Sequence, residues 1–282
     1  MDLLVVIAPA IVLAGLHFVG FFLYSVLCAV GRAPQVAGLE GKQFSLGKHL
    51  MVYWTWTLAP IERFLVRKRV SPNTITLIAM FVSFASGVSI ALGHLATGGW
   101  LYIFSGTLDI VDGRLARATQ RSSAAGGFLD SVSDRWAEAA VFTGFAWLLR
   151  DSSWFLAVIV ALAGSMMVSY VRAAGEVRGT VLDGGLMKRP ERILTVSVGT
   201  LACAILASMP STLHLVPTVM GSVLALVGIG SVLTAVGRWV QGYKNLHAMD
   251  IEASAATQSA GRNSAELFSA IVPGEPASAS AK

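Results

Sequence analysis

The sequence predicts an all-α protein that crosses a membrane several times, a polytopic transmembrane helical bundle. Of its 282 residues, 55% are hydrophobic and 13% are charged, whereas soluble domains carry about 25% charged residues. The mean hydropathy is +0.68, so too few charges remain to cover a water-facing surface. This composition excludes a soluble enzyme, a disordered chain and a disulfide-stapled secreted module.

Seven apolar stretches are long enough to cross the hydrocarbon of a membrane, which takes about 20 residues each. They run over residues 3–30, 73–93, 98–118, 128–149, 153–174, 190–208 and 217–240. The first stretch has no basic segment before it and is longer than the core of a signal peptide. A retained transmembrane helix is therefore expected at the N-terminus.

The distribution of lysine and arginine predicts the orientation of the bundle. One side of the membrane receives Arg32, Lys42, Lys48, Arg63, Arg67, Lys68, Arg69, Arg121, Arg178, Lys188, Arg189, Lys244 and Arg262. The other side receives little beyond Arg150. Because cytoplasmic loops carry the excess of cations, the first side is predicted to be cytoplasmic and the N-terminus external. This placement accounts for the net charge of +5 without a nucleic-acid partner.

Two segments outside the spans have compositions of their own. Between the first two spans, residues 48–70 repeat an apolar residue every three or four positions and end in the basic run Arg67-Lys68-Arg69. The apolar positions are Leu50, Trp54, Leu58, Ile61 and Leu65. This pattern predicts an amphipathic helix that lies on anionic membrane lipids or packs on the bundle as a linker. Residues 247–282 lack periodicity and are rich in alanine and polar residues, which predicts a disordered cytoplasmic tail.

Five acidic residues lie inside apolar helices, where an unpaired carboxylate costs several kcal/mol or more. They are Asp109, Asp112, Asp130, Asp134 and Glu138. Asp109 and Asp112 are three residues apart, and Asp130 and Asp134 are four apart, so each pair lies on one face of its helix. A short loop joins the two helices. Four carboxylates are therefore expected to converge near the cytoplasmic end of the bundle.

Four carboxylates at close quarters repel one another strongly unless some are protonated or a cation neutralises them. Oxygen ligands favour Mg²⁺, Mn²⁺ or Ca²⁺ over zinc, and two divalent ions would balance four carboxylates. Two-metal sites are typical of phosphoryl chemistry. Nearby arginines, Arg114, Arg117 and Arg121, suit phosphate oxygens. The alternative is an aspartate–arginine network that only locks the two helices together.

The spacing of these residues carries a family resemblance. The segment reads Asp109-x2-Asp112-Gly113-x2-Ala116-Arg117-x8-Gly126-x3-Asp130-x3-Asp134. It resembles the signature of the CDP-alcohol phosphatidyltransferase family at all eight fixed positions, which is far more specific than a short loop motif. The resemblance covers about residues 48 to 245. It divides the chain into an extra N-terminal helix and linker (1–47), a transferase domain with six core spans (48–246) and the tail (247–282).

The resemblance implies an enzyme that moves a phosphatidyl group from CDP-diacylglycerol to an alcohol and releases CMP. It implies that Asp109, Asp112, Asp130 and Asp134 hold Mg²⁺ or Mn²⁺, two ions in all, and that Asp134 is also the general base. The residues that match the family's CDP-lipid contacts are Asn73, Thr74, Gly113, Ala116, Arg117, Ser123 and Gly126. A homodimer among membrane lipids is implied as well.

Within the family, three segments are similar to bacterial phosphatidylinositol phosphate synthases: Ser169–Arg172, Gly184–Leu186 and Arg189–Arg192. This similarity implies that Arg172 and Arg192 bind the phosphate of the acceptor, and that the chain lies in a bacterial inner membrane with its site facing the cytoplasm. Ala174 stands where that subgroup usually has an arginine. The acceptor therefore stays open, with inositol phosphate and glycerol phosphate as candidates.

Two other functions are compatible with acids in a membrane. A cation- or proton-coupled transporter also needs them, although transporters often have two mirrored halves with broken helices, and here the acids are confined to one helix pair. An inactive lipid-binding scaffold of the same fold is the second alternative, although every acid that the mechanism needs is present.

Overall fold

The computed structural model describes residues 3–30 and 46–271, and this part of the chain contains helices and no strands, which confirms the all-α prediction. In this part of the chain, eight α-helices and one short 3₁₀ turn follow one another. They are α1 (Leu3–Ala29), α2 (Leu46–Arg67), α3 (Pro72–Ala91), α4 (Leu95–Ala118), α5 (Ala124–Leu148), α6 (Phe155–Val177), α7 (Arg189–Ala207) and α8 (Val216–Ile271), with the 3₁₀ turn at Leu213–Leu215.

Each predicted span corresponds to one helix, and the boundaries differ by a few residues outside α8. Within the described residues, α3, α6, α7 and α8 are long and apolar enough to cross a membrane. Helices α4 and α5 have similar lengths, 24 and 25 residues, but they carry the charged clusters. Helix α1 has 27 residues and none of them is charged. The linker residues 31–45 and the end of the tail, 272–282, lie outside the described residues.

The connections that lead into the site are short and closed by backbone hydrogen bonds. Helix α2 ends in a Schellman motif, with Arg69 in the left-handed region at φ 53° and the Val70 amide donating to the Leu65 carbonyl at 3.1 Å. Helix α3 then begins at once, with Pro72 in its first turn. Helix α4 ends in the same way around Gln120 at φ 56°. These turns fix the directions in which α3 and α5 begin.

Helix α3 packs against both helices that carry the acids. Its contact with α5 is so close that a side chain on Gly144 would collide with the backbone of Gly87, and a side chain on Gly87 would collide with the Ala140 carbonyl. Close approach of helices at small residues is the usual way for membrane helices to gain packing energy. A buried cluster beyond this crossing joins α3 to α8 through residues such as Ile90, Phe142, Val196 and Leu224.

The N-terminal helices meet through aromatic rings. Tyr24 of α1 lies 5.8 Å from Tyr53 and 5.9 Å from Trp56 of α2, measured between ring centroids, and Phe21 meets Tyr53 edge to face at 5.2 Å. Much of the rest of α1 is exposed, for example Leu16, Phe18 and Phe22. The described part of α1 meets α2 through these aromatic rings and also lies against α4 and α7.

The structure differs from the predicted disorder after residue 246. Helix α8 is 56 residues long and continues to Ile271, so residues 247–271 of the predicted tail are helical. The segment is rich in alanine, which has the highest intrinsic helix propensity, and it extends a helix that the bundle has already nucleated. The prediction relied on the missing apolar periodicity, which reports on burial and not on backbone conformation.

Replacing Gly144 with alanine tests the close crossing of α3 and α5. The added methyl group collides with the backbone of Gly87, which cannot rotate away, so we expect destabilisation of about 1–3 kcal/mol and a lower melting temperature in detergent. Gly237→Ala in α8 is the matched control, because a side chain there meets nothing within 4 Å. Equal melting temperatures for the two variants would contradict the tight crossing.

Candidate active site

Three of the four predicted metal ligands meet between α4 and α5. One carboxylate oxygen from each of Asp109, Asp112 and Asp130 lies within 4.8 Å of the others. The i, i+3 spacing on α4 points its two acids to one side, and the Schellman turn with the Ser123 N-cap, which accepts from the Gly126 amide at 3.0 Å, brings α5 back beside them. The predicted convergence on one helix pair is thus present for these three residues.

The environment of this triad fits a divalent cation. The ligand set is all oxygen, which suits Mg²⁺ or Mn²⁺. Asp130 Oδ1 is buried and has no hydrogen-bond partner among the described residues, which is costly for a carboxylate unless an ion completes the site. Asp112 is buried and its Oδ2 accepts a hydrogen bond from Thr76 Oγ1 at 2.6 Å, which orients the carboxylate toward the other two.

Asp134 lies one helical turn beyond Asp130 and is linked to the triad by an arginine. Arg189, at the start of α7, contacts Asp109 Oδ2 with Nη1 at 2.5 Å and Asp134 Oδ1 with Nη2 at 2.7 Å. Arg135 contacts the other oxygen of Asp134 at 3.4 Å. Two arginines therefore hold Asp134 at the edge of the triad, one helical turn from Asp130.

A cavity of about 180 Å³ opens beside the triad where α3, α4 and α5 meet. Its lining includes Pro72, Asn73, Thr76, Asp112, Gly113, Ala116, Arg117, Arg121, Ser122, Ser123, Gly126, Gly127 and Asp130. Six of the seven predicted CDP-lipid residues are in this lining. The exception is Thr74, which is exposed and whose amide donates to the Ser71 carbonyl. Thr76, which sequence reasoning missed, takes its place. We call this space the nucleotide cavity.

A second cavity of about 690 Å³ lies on the other side of Asp130, between α5, α6, α7 and α8. Its lining includes Asp130, Ser131, Asp134, Arg135, Val168, Ser169, Arg172, Ala173, Glu176, Asp183, Lys188, Arg189, Pro190, Arg192 and Arg238. Both predicted acceptor residues, Arg172 and Arg192, are among them. We call this space the basic cavity.

The two predicted acceptor residues have different surroundings. Arg172 is half-exposed and contacts Glu176 at 2.8 Å and Asp183 at 3.6 Å. Arg192 is fully buried; its Nε and Nη2 donate to the two oxygens of Glu138 at 2.6 and 3.0 Å, and its Nη1 donates to the Met187 carbonyl. These hydrogen bonds occupy most of the N–H groups of Arg192 and hold the start of α7 against α5.

Sequence reasoning misses the arginine partners of three acids. It places Arg189, which pairs with Asp109 and Asp134, only among the cytoplasmic charges and in the resemblance, and it assigns no partner to Glu138. One signal pointed to the second pairing: Glu138 follows Asp134 by four residues within an apolar helix, where an acid needs a cation. Nothing in the sequence selects Arg192 over the other arginines, because the choice depends on how α7 packs against α5.

With this geometry established, the chain can be compared with known proteins. The family model of CDP-alcohol phosphatidyltransferases matches residues 69–236, which is more than half of the chain. The chain belongs to the CDP-alcohol phosphatidyltransferase family. The matched range lies within the predicted domain 48–246 and contains every acid of the site.

Several named members of the family are similar to this transferase. The phosphatidylinositol phosphate synthase of Streptomyces avermitilis is 33% identical over 234 residues, which cover 78% of this chain and 91% of the relative. The Mycobacterium tuberculosis enzyme of the same name is 32% identical over 145 residues, or 50% and 67% of the two chains. The archaetidylinositol phosphate synthase of Methanothermobacter thermautotrophicus is 38% identical over 128 residues, or 45% and 65%.

Solved structures of the Mycobacterium tuberculosis phosphatidylinositol phosphate synthase share the fold. The structure with CDP-DAG bound has a TM-score of 0.57 and 30% identity, and the match covers 65% of this chain and 92% of that one. The complex with manganese and citrate has a TM-score of 0.58 and 29% identity, with 65% and 88% covered.

Substituting Arg192 separates a structural role in this transferase from acceptor binding. Removing one partner of a buried, hydrogen-bonded ion pair costs about 3–5 kcal/mol, so we expect Arg192→Gln to lower the melting temperature markedly. Arg172→Gln breaks half-exposed pairs, which contribute about 1 kcal/mol or less, and should melt close to the wild type. A stable Arg192→Gln protein whose only defect is a raised acceptor KM would instead make Arg192 an acceptor contact.

Proposed function

We propose that this enzyme transfers the phosphatidyl group of CDP-diacylglycerol to a polar alcohol and releases CMP, as part of phospholipid biosynthesis. One observation carries the proposal: Asp130, a member of the carboxylate triad, lines both cavities. A donor in the nucleotide cavity and an acceptor in the basic cavity would therefore meet at the carboxylates.

The relatives support the choice of donor and metal. The Mycobacterium tuberculosis synthase binds CDP-DAG in one structure and manganese with citrate in another. In this chain we propose that Asp109, Asp112 and Asp130, with Asp134 at the edge, hold two divalent ions, Mg²⁺ or Mn²⁺. When bound, such ions withdraw charge from the diphosphate and stabilise the leaving phosphate of CMP.

The other residues of the nucleotide cavity bind and orient the donor. Arg117 supplies a guanidinium for phosphate oxygens. Gly113 lacks a side chain beside Asp112, so the nucleotide approaches the backbone of α4. Asn73 of α3 and Ser123 before α5 add polar groups to the lining, both close to Gly126. Diacylglycerol chains would extend from this cytoplasmic edge into the surrounding lipid, while the nucleotide stays in water.

Asp134 is the proposed general base. Its carboxylate faces the basic cavity, one turn from a metal ligand, and Arg189 and Arg135 hold it in place. It would take the proton from the acceptor hydroxyl as that oxygen forms a bond to the phosphatidyl phosphorus. The bond from this phosphorus to the CMP oxygen breaks at the same centre, and CMP leaves with the electron pair.

The basic cavity is the proposed acceptor site. Arg172, Lys188 and Arg238 lie around its opening and walls, which suits a phosphorylated alcohol such as inositol phosphate or glycerol phosphate. Arg192 acts there by fixing the wall through Glu138. The names of two relatives, a phosphatidylinositol phosphate synthase and an archaetidylinositol phosphate synthase, favour inositol phosphate as the acceptor.

The charge distribution and the resemblance complete the proposal. The enzyme would lie in a bacterial inner membrane as a homodimer, with the N-terminus outside and both cavities open to the cytoplasm. Coupled transport is disfavoured because the five acids that lie inside apolar helices, Asp109, Asp112, Asp130, Asp134 and Glu138, are confined to α4 and α5.

Replacing Asp134 with asparagine tests the base. The amide keeps the shape but cannot accept the proton, so CMP release from CDP-diacylglycerol with Mg²⁺ should fall by about 10²–10⁴ while CMP binding persists. Inositol phosphate, glycerol phosphate, inositol and serine are offered separately. Asp151→Asn, an exposed acid at the opposite end of the bundle, is the control. Wild-type turnover in Asp134→Asn would remove Asp134 from the mechanism.

Replacing Arg172 with glutamine tests the acceptor site. Loss of a charged donor in the basic cavity should raise the KM for a phosphorylated acceptor about tenfold and leave the KM for CDP-diacylglycerol unchanged. Steady-state CMP release at varied acceptor and fixed donor concentration gives the KM for the acceptor. Release at varied donor and fixed acceptor concentration gives the KM for CDP-diacylglycerol. A raised donor KM with an unchanged acceptor KM would show that the two cavities have been assigned the wrong way round.

A further inference from the structure

Among the described side chains, helix α2 contributes none to either cavity, yet its end has the chemistry of a lipid contact. Its exposed cations, Arg63 and Arg67, continue into Lys68 and Arg69 of the following turn. The apolar side chain of Phe64 lies exposed between them, with Lys68 Nζ 6.0 Å from its ring centroid. Cations interleaved with exposed apolar groups suit the boundary between anionic headgroups and acyl chains.

One ion pair joins α2 to the helix that carries the metal ligands. Glu62 Oε2 contacts Arg114 Nη2 at 2.5 Å, and each side chain is 21% exposed. Glu62 is the single acidic residue of α2. Arg114 Nε is buried and has no hydrogen-bond partner among the described residues, so the contact with Glu62 provides the pairing of this guanidinium.

The position of Arg114 connects this pair to the nucleotide cavity. Arg114 directly follows Gly113, which lines the cavity, and Asp112 on the other side of Gly113 is tied to α3 by Thr76. Two tethers, one to α2 and one to α3, therefore flank the same glycine. The Schellman turn at Arg69 links α2 to α3 without a flexible segment, three residues before the cavity begins at Pro72.

We propose that α2 binds anionic lipid headgroups and that the Glu62–Arg114 pair couples this contact to the nucleotide cavity, so that anionic lipid tightens nucleotide binding. The inference rests on the proposed function, because the nucleotide cavity is assigned there. Lipid that holds the cationic end of α2 at the membrane surface also holds Glu62 against Arg114. The positions of Gly113 and Asn73 are then fixed before the nucleotide arrives.

Whether anionic lipid tightens or weakens nucleotide binding distinguishes this coupling from simple electrostatic repulsion. An anionic surface repels an anionic nucleotide and lowers its local concentration, so without coupling anionic lipid should weaken nucleotide binding. The coupling predicts tighter binding instead. We expect about a fivefold lower Kd, at the low end of coupling between two sites.

The experiment measures CMP binding, with Mg²⁺ present, to the full-length protein in nanodiscs of phosphatidylcholine with and without phosphatidylserine. Phosphatidylserine carries no free hydroxyl and so cannot act as an acceptor alcohol. CMP binding does not require the acceptor to be known. The wild type should bind CMP about fivefold more tightly in the anionic discs.

Two variants should lose the difference in CMP affinity between anionic and neutral discs, each for a different reason. Arg67→Gln/Lys68→Gln/Arg69→Gln removes the lipid contact, and Glu62→Gln removes the coupling while leaving those cations in place. Exchanging the charges in Glu62→Arg/Arg114→Glu should restore the difference at least in part. Lys244→Gln and Glu252→Gln, a cation and an acid of α8 outside both cavities, are the matched controls and should behave as the wild type. Melting temperatures in the same discs confirm that each variant is folded.

The possible failures point to different errors. A wild-type Kd that is equal or weaker in anionic discs overturns the coupling and leaves the proposed function intact. A difference that survives in Glu62→Gln also overturns it, because lipid would then act without the ion pair. Absence of CMP binding in every disc overturns both the coupling and the proposed function.

Discussion

The repulsion among carboxylates inside a membrane bundle is the constraint on which the rest of the structure depends. Asp109, Asp112 and Asp130 approach within 4.8 Å of one another in surroundings where a single unpaired charge costs several kcal/mol. No arrangement of neutral residues offsets that cost. Protons or cations must therefore neutralise the carboxylates. The chain supplies Arg189 and Arg135 at one edge, while Asp130 Oδ1 has no hydrogen-bond partner among the described residues, as expected for a metal ligand.

The same constraint explains the architecture around the cluster. The acids need two helices side by side, which the closed turn between α4 and α5 and the glycine crossing of α3 with α5 provide. The start of α7 must bring Arg189 to the acids, and the buried Glu138–Arg192 pair holds it there. Asp130 lines both the nucleotide cavity and the basic cavity, so in the proposed reaction a single group of carboxylates would serve donor and acceptor together.

The local sequence pattern predicts how the acids group together, but it does not predict which residues pair with them. The spacing of Asp109, Asp112, Asp130 and Asp134 fixes a common side for each pair through the helical period, and a short loop makes the two helices neighbours, so their grouping follows from sequence. Thr76 and Arg189 reach the acids through the packing of α3 and α7, which no local pattern encodes. The resemblance predicts Arg192 as an acceptor contact, and the structure pairs it with the buried Glu138. A cation near a site has the same sequence signature whether it binds a ligand or a buried glutamate. The helical conformation of residues 247–271 depends on propensity and continuation of α8, and apolar periodicity does not report on either.

If the carboxylate triad is a divalent metal site, as we propose, the protein should bind Mn²⁺, and electron paramagnetic resonance can measure that binding. We expect the folded wild type to bind Mn²⁺ saturably, Mg²⁺ to compete, and Asp112→Asn/Asp130→Asn to lose this binding while keeping its helical fold. Equal Mn²⁺ binding by the wild type and the double variant would show that the triad is not a metal site, because the buried carboxylates would then be neutralised by protons and arginines alone.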